Sequence, residues 1–320
     1  MTNDLAIGID IGGTNIKYGF VDREGNISHT GNLKTRSFPS ASSLIHTLKQ
    51  ELDPLMNSLK DLHNIKGIGI GAPNGNYYTG NIEFAPNLSW EGIIPLCKMF
   101  NDAFALPAVL TNDANAAALG EMMYGAAKGM RDFITITLGT GVGSGIVANG
   151  QLILGHDGFA GELGHVTVIR DGRLHEGTGL RGSLECYASA TGVVRTALEL
   201  LEASDKPSSI RSIPKDQLES KHIHEAAMQG DSIAQEVFSF TGKILGEALA
   251  NFVMFSSPEA IVLFGGLTKA GDLLLNPVRE HMEKNLLPIF QNKVKLMFSQ
   301  LKESDAAILG ASALVWEMKG

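Results

Sequence analysis

Two stretches of this chain, LAIGIDIGGTNIKYGFVD and FITITLGTGVGSGIVANG, share one pattern: a β-rich run, a glycine turn, and a second β-rich run. Setting Ile7 on Ile134 brings Asp10 over Thr137 and Gly12 over Gly139 without a gap. Internal self-similarity of this kind argues for two related units, each opening on a hairpin. A length of 320 residues agrees, since it exceeds what one hydrophobic core usually holds. NISHTGNLKT follows the turn residues REGN, and QLILG follows the second copy, so each repeat reads as the start of a meander.

Between and after the repeats, helical and strand signals alternate. Leu44, Leu48, Leu52, Leu55 and Leu59 recur at helical spacing behind a cap-like Ser40, with Pro54 expected to kink the helix. KGIGIGAP and PAVLTN read as short buried strands, and DANAAALGEMMYGAAKG as a helix stopped by Gly129. SIAQEVFSFTGKILGEALANFVMF reads as a long buried helix, AIVLFGG as a strand, and SDAAILGASALVW as a closing helix. Strands alternating with helices predict an α/β architecture with antiparallel additions from the meanders.

Composition excludes several classes. A formal net charge of -8 offers no general attraction to nucleic acid or anionic lipid. Cys97 and Cys186 are the only cysteines, far apart in sequence, which fits a reducing compartment rather than a disulfide scaffold. The start MTNDLAIGIDIGG lacks the basic and apolar regions of a secretory signal, and no apolar run approaches the roughly 20 residues a membrane helix needs. The expectation is a cytoplasmic protein with neither membrane nor nucleic-acid partner.

Asp10-Ile11-Gly12-Gly13-Thr14-Asn15-Ile16-Lys17 is a strand ending in a carboxylate and then a glycine turn. Glycines let backbone N–H groups approach phosphate oxygens, Thr14 adds a hydroxyl, and Asp10 can hold magnesium directly or through water. Alone, such a segment is as well explained by a hairpin turn. The second turn, Gly139-Thr140-Gly141-Val142-Gly143, stands at the matching point of the other repeat, and two facing turns make a phosphate clamp. Neither is a P-loop, because no GxxxxGK[ST] string occurs; GTGVGSG leads into a strand, not the helix a dinucleotide fold requires. Asn112-Asp113 lie where a buried strand hands over to a helix, where either side chain could simply cap it.

The pairing of DIGGTNIK with LGTGVGSGI resembles the phosphate motifs of the actin, hexokinase and Hsp70 ATPase superfamily. Within it the chain resembles the ROK family (repressor, open reading frame, kinase), through GIGIGAPNG, EFAPNLSW, LTNDANAAALGE, FAGELGHVTV, SLECYASATG and IVLFGG in family order over nearly the whole length. The resemblance implies an α/β fold of two actin-like ATPase (ribonuclease H-like) lobes with a cleft between them. A small lobe would take residues 1–113, completed by a C-terminal helix over 305–320, and a large lobe residues 114–304. It implies an ATP- and Mg2+-dependent sugar kinase in which Asp113 accepts the proton of the attacking hydroxyl. Sugar contacts would come from Asn87, Asn112 and Asp113 on one lobe and Glu162, His165 and Glu185 on the other, with Trp90 packing behind them. Nucleotide and phosphate contacts would come from Asp10, Gly12, Gly13, Thr14, Lys17, Gly139, Thr140 and Gly141, with Gly265 and Gly266 backing the adenosine. Glucose is the first acceptor implied and an N-acetylhexosamine the second; a homodimer is the family default.

Many ROK members carry a CxCGxxGC cluster that binds structural zinc with the histidine of the GH motif. Here Glu176, Thr178 and Ser183 stand at the cysteine positions, so His165 with Glu176 cannot complete a closed tetrahedral site. No structural zinc is expected, and Cys186 reads as a buried thiol. Two other classes are weighed. A ROK regulator would carry a winged-helix segment ahead of the first glycine turn, whereas the first strand begins near Leu5; an actin-like or chaperone ATPase would not need the sugar-contact series. Acceptor choice is expected to depend on the loops near residues 74–80 and 155–160.

Overall fold

The computed structural model describes residues 3–60 and 62–318; Lys319 and Gly320, the end of the helix expected over 305–320, lie outside the described residues. Two compact units emerge, one from residues 1–131, 145–161 and 299–320, the other from 132–144 and 162–298.

In the first unit, β1 (Asn3–Ile11), β2 (Asn15–Asp22) and β3 (Ile27–Lys34) form the expected meander, and β4 (His63–Gly71) and β7 (Ala108–Thr111) extend it in parallel, giving the order β3-β2-β1-β4-β7. The two-stranded β5 (Ile82–Glu83) and β6 (Ile93–Ile94) stand apart from it. Helix α1 (Ala41–Leu59) starts at a capping box in which Ser40 and Ser43 exchange hydrogen bonds. It runs on through Pro54 to Leu59. Leu44, Leu48 and Leu52 of α1 pack with Ile7, Ile9 and Ile11 of β1, Ile68 and Ile70 of β4, and Phe100 and Phe104 of α2 (Leu96–Phe104) in one buried cluster. Trp90 is buried in the same cluster and donates its indole N–H to the Phe38 carbonyl at 3.0 Å.

Helices α3 (Asp113–Tyr124) and α9 (Ala306–Glu317) pack on each other, and α9 also lies on β1 and β4. Gly120 and Gly310 permit the close crossing of the two helices: a Cβ on Gly310 would stand 2.5 Å from the Ala116 carbonyl oxygen. This fit holds α3, with Asp113 at its start, within the first unit. The helix stops at Gly125 rather than at the expected Gly129, because the Glu121 carboxylate accepts the Ala126 N–H at 2.8 Å and takes the place of a further helical turn.

The second repeat forms β8 (Phe133–Leu138), β9 (Val142–Ala148) and β10 (Gln151–Leu152), which join β11 (Ala260–Phe264) and β12 (Lys295–Phe298) in the order β10-β9-β8-β11-β12. β11 runs parallel to both β8 and β12. The helices of the second unit are α4 (Glu185–Ala188), α5 (Ala190–Ala203), α6 (Ser220–Met228), α7 (Ser232–Ser256) and α8 (Asp272–Lys284). Helix α7 is capped by the Asp231 carboxylate, buries Val237, Phe238, Leu245, Leu249 and Val253, and packs against α8. Among the described residues, no helix is long and apolar enough to cross a membrane.

Candidate active site

In the first unit the strand register sets out the chemistry. Lys17 pairs with Asp10 across β2 and β1, Asp10 with Gly71 across β1 and β4, and Gly71 with Thr111 across β4 and β7. This row marks the carboxyl ends of three parallel strands, where open α/β sheets bind their ligands. Asn112 and Asp113 follow directly. Because Gly71 has no side chain, room is left beside it: a Cβ there would be 3.6 Å from Asp10 Oδ1 and 3.9 Å from the Asp113 Cα.

Asn112 is the N-cap of α3, its Oδ1 accepting the Asn115 N–H at 2.7 Å, so the structural role open to it is realised. Asp113 sits in the first helical turn, where Oδ1 accepts the Ala114 N–H at 2.9 Å. Protein packed around the Asp113 carboxyl raises its pKa, and the hydrogen bonds from backbone N–H groups oppose that rise. The residue is nonetheless exposed to solvent. Asp10 is pushed up to about 7, first by burial and then by the charge of Asp113, with Lys17 pulling the other way.

The first glycine turn closes with the Gly12 N–H donating to the Asn15 carbonyl at 2.9 Å, and the Thr35 hydroxyl donates to the Gly12 carbonyl at 2.6 Å. Asn87 lies against this turn; a Cβ on Gly13 would be 3.0 Å from the Asn87 carbonyl oxygen. Asp10, Gly12, Gly13, Thr14, Lys17, Asn87, Asn112 and Asp113 thus gather at one end of the first sheet. The loops near 74–80 and 155–160 also meet: the buried Asn76 donates to the Asp157 carbonyl at 2.7 Å, and the Tyr78 hydroxyl to the Gly155 carbonyl at 3.0 Å. Asn76, Tyr78, Thr79, Glu83, His156, Asp157 and Phe159 line an open cavity of about 450 Å³ there.

In the second unit, the turn Gly139–Gly143 closes with the Gly139 N–H donating to the Gly141 carbonyl at 3.0 Å. The start of α5 ties it down, since Ala190 N–H donates to the Gly139 carbonyl at 2.8 Å and the Thr191 hydroxyl to the Thr140 carbonyl at 3.1 Å. In neither unit does the closing hydrogen bond use the amides of Gly13, Thr14, Thr140 or Gly141. Gly265, at φ +110°, passes so close to the end of β8 that a Cβ on it would be 2.6 Å from the Leu138 carbonyl oxygen. Gly265 therefore lies beside the end of β8, directly before the second glycine turn.

Glu185, at the start of α4, accepts the Val142 N–H at 2.6 Å, which sets its carboxylate against the same turn. His165 Nε2 is 3.8 Å from Glu162 Oε2. Glu162, His165 and Glu185 are joined by a residue that sequence reasoning passed over: His175, whose Nε2 is 2.5 Å from Glu185 Oε1 and whose ring stands edge-on to His165. His165, His175 and Glu185 each offer a ligand atom within 4.8 Å of the others. Of the residues at the family's cysteine positions, Ser183 is buried with its hydroxyl 3.3 Å from Cys186 Sγ, and Thr178 donates its backbone N–H to His175. These groups do not fit a cysteine-rich zinc site.

A two-unit α/β fold with a glycine turn after the first strand of each sheet is the fold of the actin-like ATPases. The ROK family profile matches residues 6–318, and the chain belongs to the ROK family. It is 37% identical over 318 residues to a glucokinase of Halalkalibacterium halodurans, covering 98% of this chain and 96% of that protein. A glucokinase of Streptomyces coelicolor is 36% identical over 318 residues, covering 98% of each chain. Among solved structures, a ROK family glucokinase from Streptomyces griseus in complex with glucose and AMPPNP superposes with a TM-score of 0.79 at 34% identity, covering 98% of this chain and 100% of that one.

Proposed function

We propose that the protein is an ATP-dependent hexose kinase that converts glucose to glucose 6-phosphate. The observation that carries this reading is the carboxylate of Asp113, set at the carboxyl edge of the first sheet beside Asp10 and the first glycine turn. Phosphoryl transfer asks a protein for in-line positioning, neutralisation of charge, and a group to orient the nucleophile. Asp113 accepts the hydroxyl proton as the sugar oxygen bonds to the γ-phosphorus and the bond to the β–γ bridging oxygen breaks, releasing ADP. Its raised pKa suits a base better than that of an ordinary carboxylate.

The amides of Gly13, Thr14, Thr140 and Gly141 meet phosphate oxygens, Lys17 adds positive charge, and Gly265 and Gly266 back the adenosine. Asp10 would hold magnesium, directly or through water, and the ion would supply charge neutralisation to the phosphates. Asn87, Asn112, Glu162, His165 and Glu185 supply donors and acceptors to the hexose hydroxyls, each of which would cost about 1–3 kcal/mol if left unpaired. The similarity to glucokinases supports glucose as acceptor. On the same reading the enzyme works in the cytoplasm, as a homodimer, without structural zinc. A coupled assay with ATP, magnesium and a panel of hexoses and N-acetylhexosamines tests it: glucose should give the highest kcat/KM, and an N-acetylhexosamine in first place would replace the acceptor.

A further inference from the structure

We infer that His175 is a positioning residue for the hexose site, holding the Glu185 carboxylate by a hydrogen bond and so doing without metal the work a zinc ion is implied to do in cysteine-bearing relatives. The inference rests on the reading of Glu185 as a hexose contact. The Thr178 N–H donates to His175 Nδ1 at 3.1 Å. That makes Nδ1 the acceptor, so the neutral ring carries its proton on Nε2, the atom 2.5 Å from Glu185 Oε1. The other carboxylate oxygen of Glu185 accepts the Val142 N–H at 2.6 Å. Each oxygen therefore has a fixed donor, one from the ring and one from the strand that follows the second glycine turn.

The ring is itself anchored. His175 donates its backbone N–H to the Leu180 carbonyl at 2.8 Å and accepts the Gly179 N–H at 2.8 Å, while Leu174 and Arg181 bridge to close a small loop. Its edge-on contact with His165, at 5.7 Å between ring centroids, extends the support to a second proposed sugar residue.

A metal bound at the same place would need the pair to move apart. Two tetrahedral ligands at zinc bond lengths stand about 3.4 Å apart. His175 Nε2 and Glu185 Oε1 are separated by 2.5 Å, a direct hydrogen bond. A metal would have to displace the Nε2 proton and part the pair.

The test compares E185Q, H175F and H175Q. Phenylalanine keeps a ring against His165 but donates nothing; glutamine keeps an N–H near the position of Nε2. Glucose affinity is measured by calorimetry, KM and kcat by coupled assay, metal content by mass spectrometry of the purified proteins, and folding by thermal melts. H175F should weaken glucose binding about 10-fold, seen mainly in the glucose KM, while H175Q should stay within about 3-fold of wild type; the expected loss is that of one charge-assisted hydrogen bond. The proposal is overturned if H175F binds glucose normally while E185Q does not, if H175Q is as weak as H175F, or if the wild type holds one zinc per chain that H175F lacks. Normal glucose binding by E185Q would instead remove the reading of Glu185 on which the proposal rests.

Discussion

Asp10 and Asp113 flank Gly71 at the carboxyl edge of the first sheet, close enough that the charge on Asp113 helps raise the pKa of Asp10. Two ionised carboxylates beside one another repel, which disfavours the charged form of Asp10.

Stability of the nucleotide-free protein should follow from the burial of Asp10 and, second to it, from the neighbouring charge of Asp113. The Asp10 pKa rises from 3.8 to about 7 on folding, so its contribution favours the folded state fully below the unfolded value and is lost as pH rises through the folded one. The loss amounts to roughly 4 kcal/mol at most, less whatever water screens at this half-buried side chain. Thermal melts at about pH 5 and about pH 8 should show the wild type losing more stability than D10N over that interval. Parallel losses in the two proteins would contradict the raised Asp10 pKa.

Activity should show the Asp113 environment directly. Because its pKa is raised, the acid limb of kcat/KM for the hexose should fall at a higher pH than an ordinary carboxylate would give, as protonation removes the acceptor for the hydroxyl proton. A pH–rate profile of the wild type reads this. An acid limb in the usual aspartate range would count against it.

The crossing of α3 and α9 should tolerate no side chain. G310A places a methyl 2.5 Å from the Ala116 carbonyl oxygen, an overpacking expected to cost about 1–3 kcal/mol. Urea or thermal unfolding measures it; wild-type stability would mean that α3 is not held by this contact.

Selectivity should respond to Asn76, which joins the two loops around the open cavity. N76A removes the bond to Asp157 and leaves the Tyr78 and Thr79 N–H groups without their acceptor, a loss of about 1–3 kcal/mol in loop order. The ratio of kcat/KM for glucose to that for N-acetylglucosamine should change at least several-fold by coupled assay; an unchanged ratio would place selectivity elsewhere.

Much of this site could be read along the chain because its parts are local. The two glycine turns recur at one register, and Asn112-Asp113 mark a strand-to-helix junction whose meaning depends on neighbours in sequence. What could not be read depends on pairings between distant segments. Asp10 meets Asp113 only because β1, β4 and β7 run parallel with their ends in one row. His175 was hidden for a similar reason: its contact with Glu185 depends on the small loop closed by Leu174 and Arg181, and the family's cysteine spacing points to Glu176 instead. The early end of α3 came from competition by a side chain, since Glu121 captures an amide that propensity alone would leave to the helix.

The most direct measurement is ADP formation by wild type and D113N with MgATP, in the presence and absence of glucose. The account predicts glucose-dependent turnover in the wild type, and a kcat about 10²–10⁴-fold lower in D113N with glucose binding retained by calorimetry. Turnover that ignores glucose, or a D113N variant that transfers phosphate at nearly the wild-type rate, would contradict it.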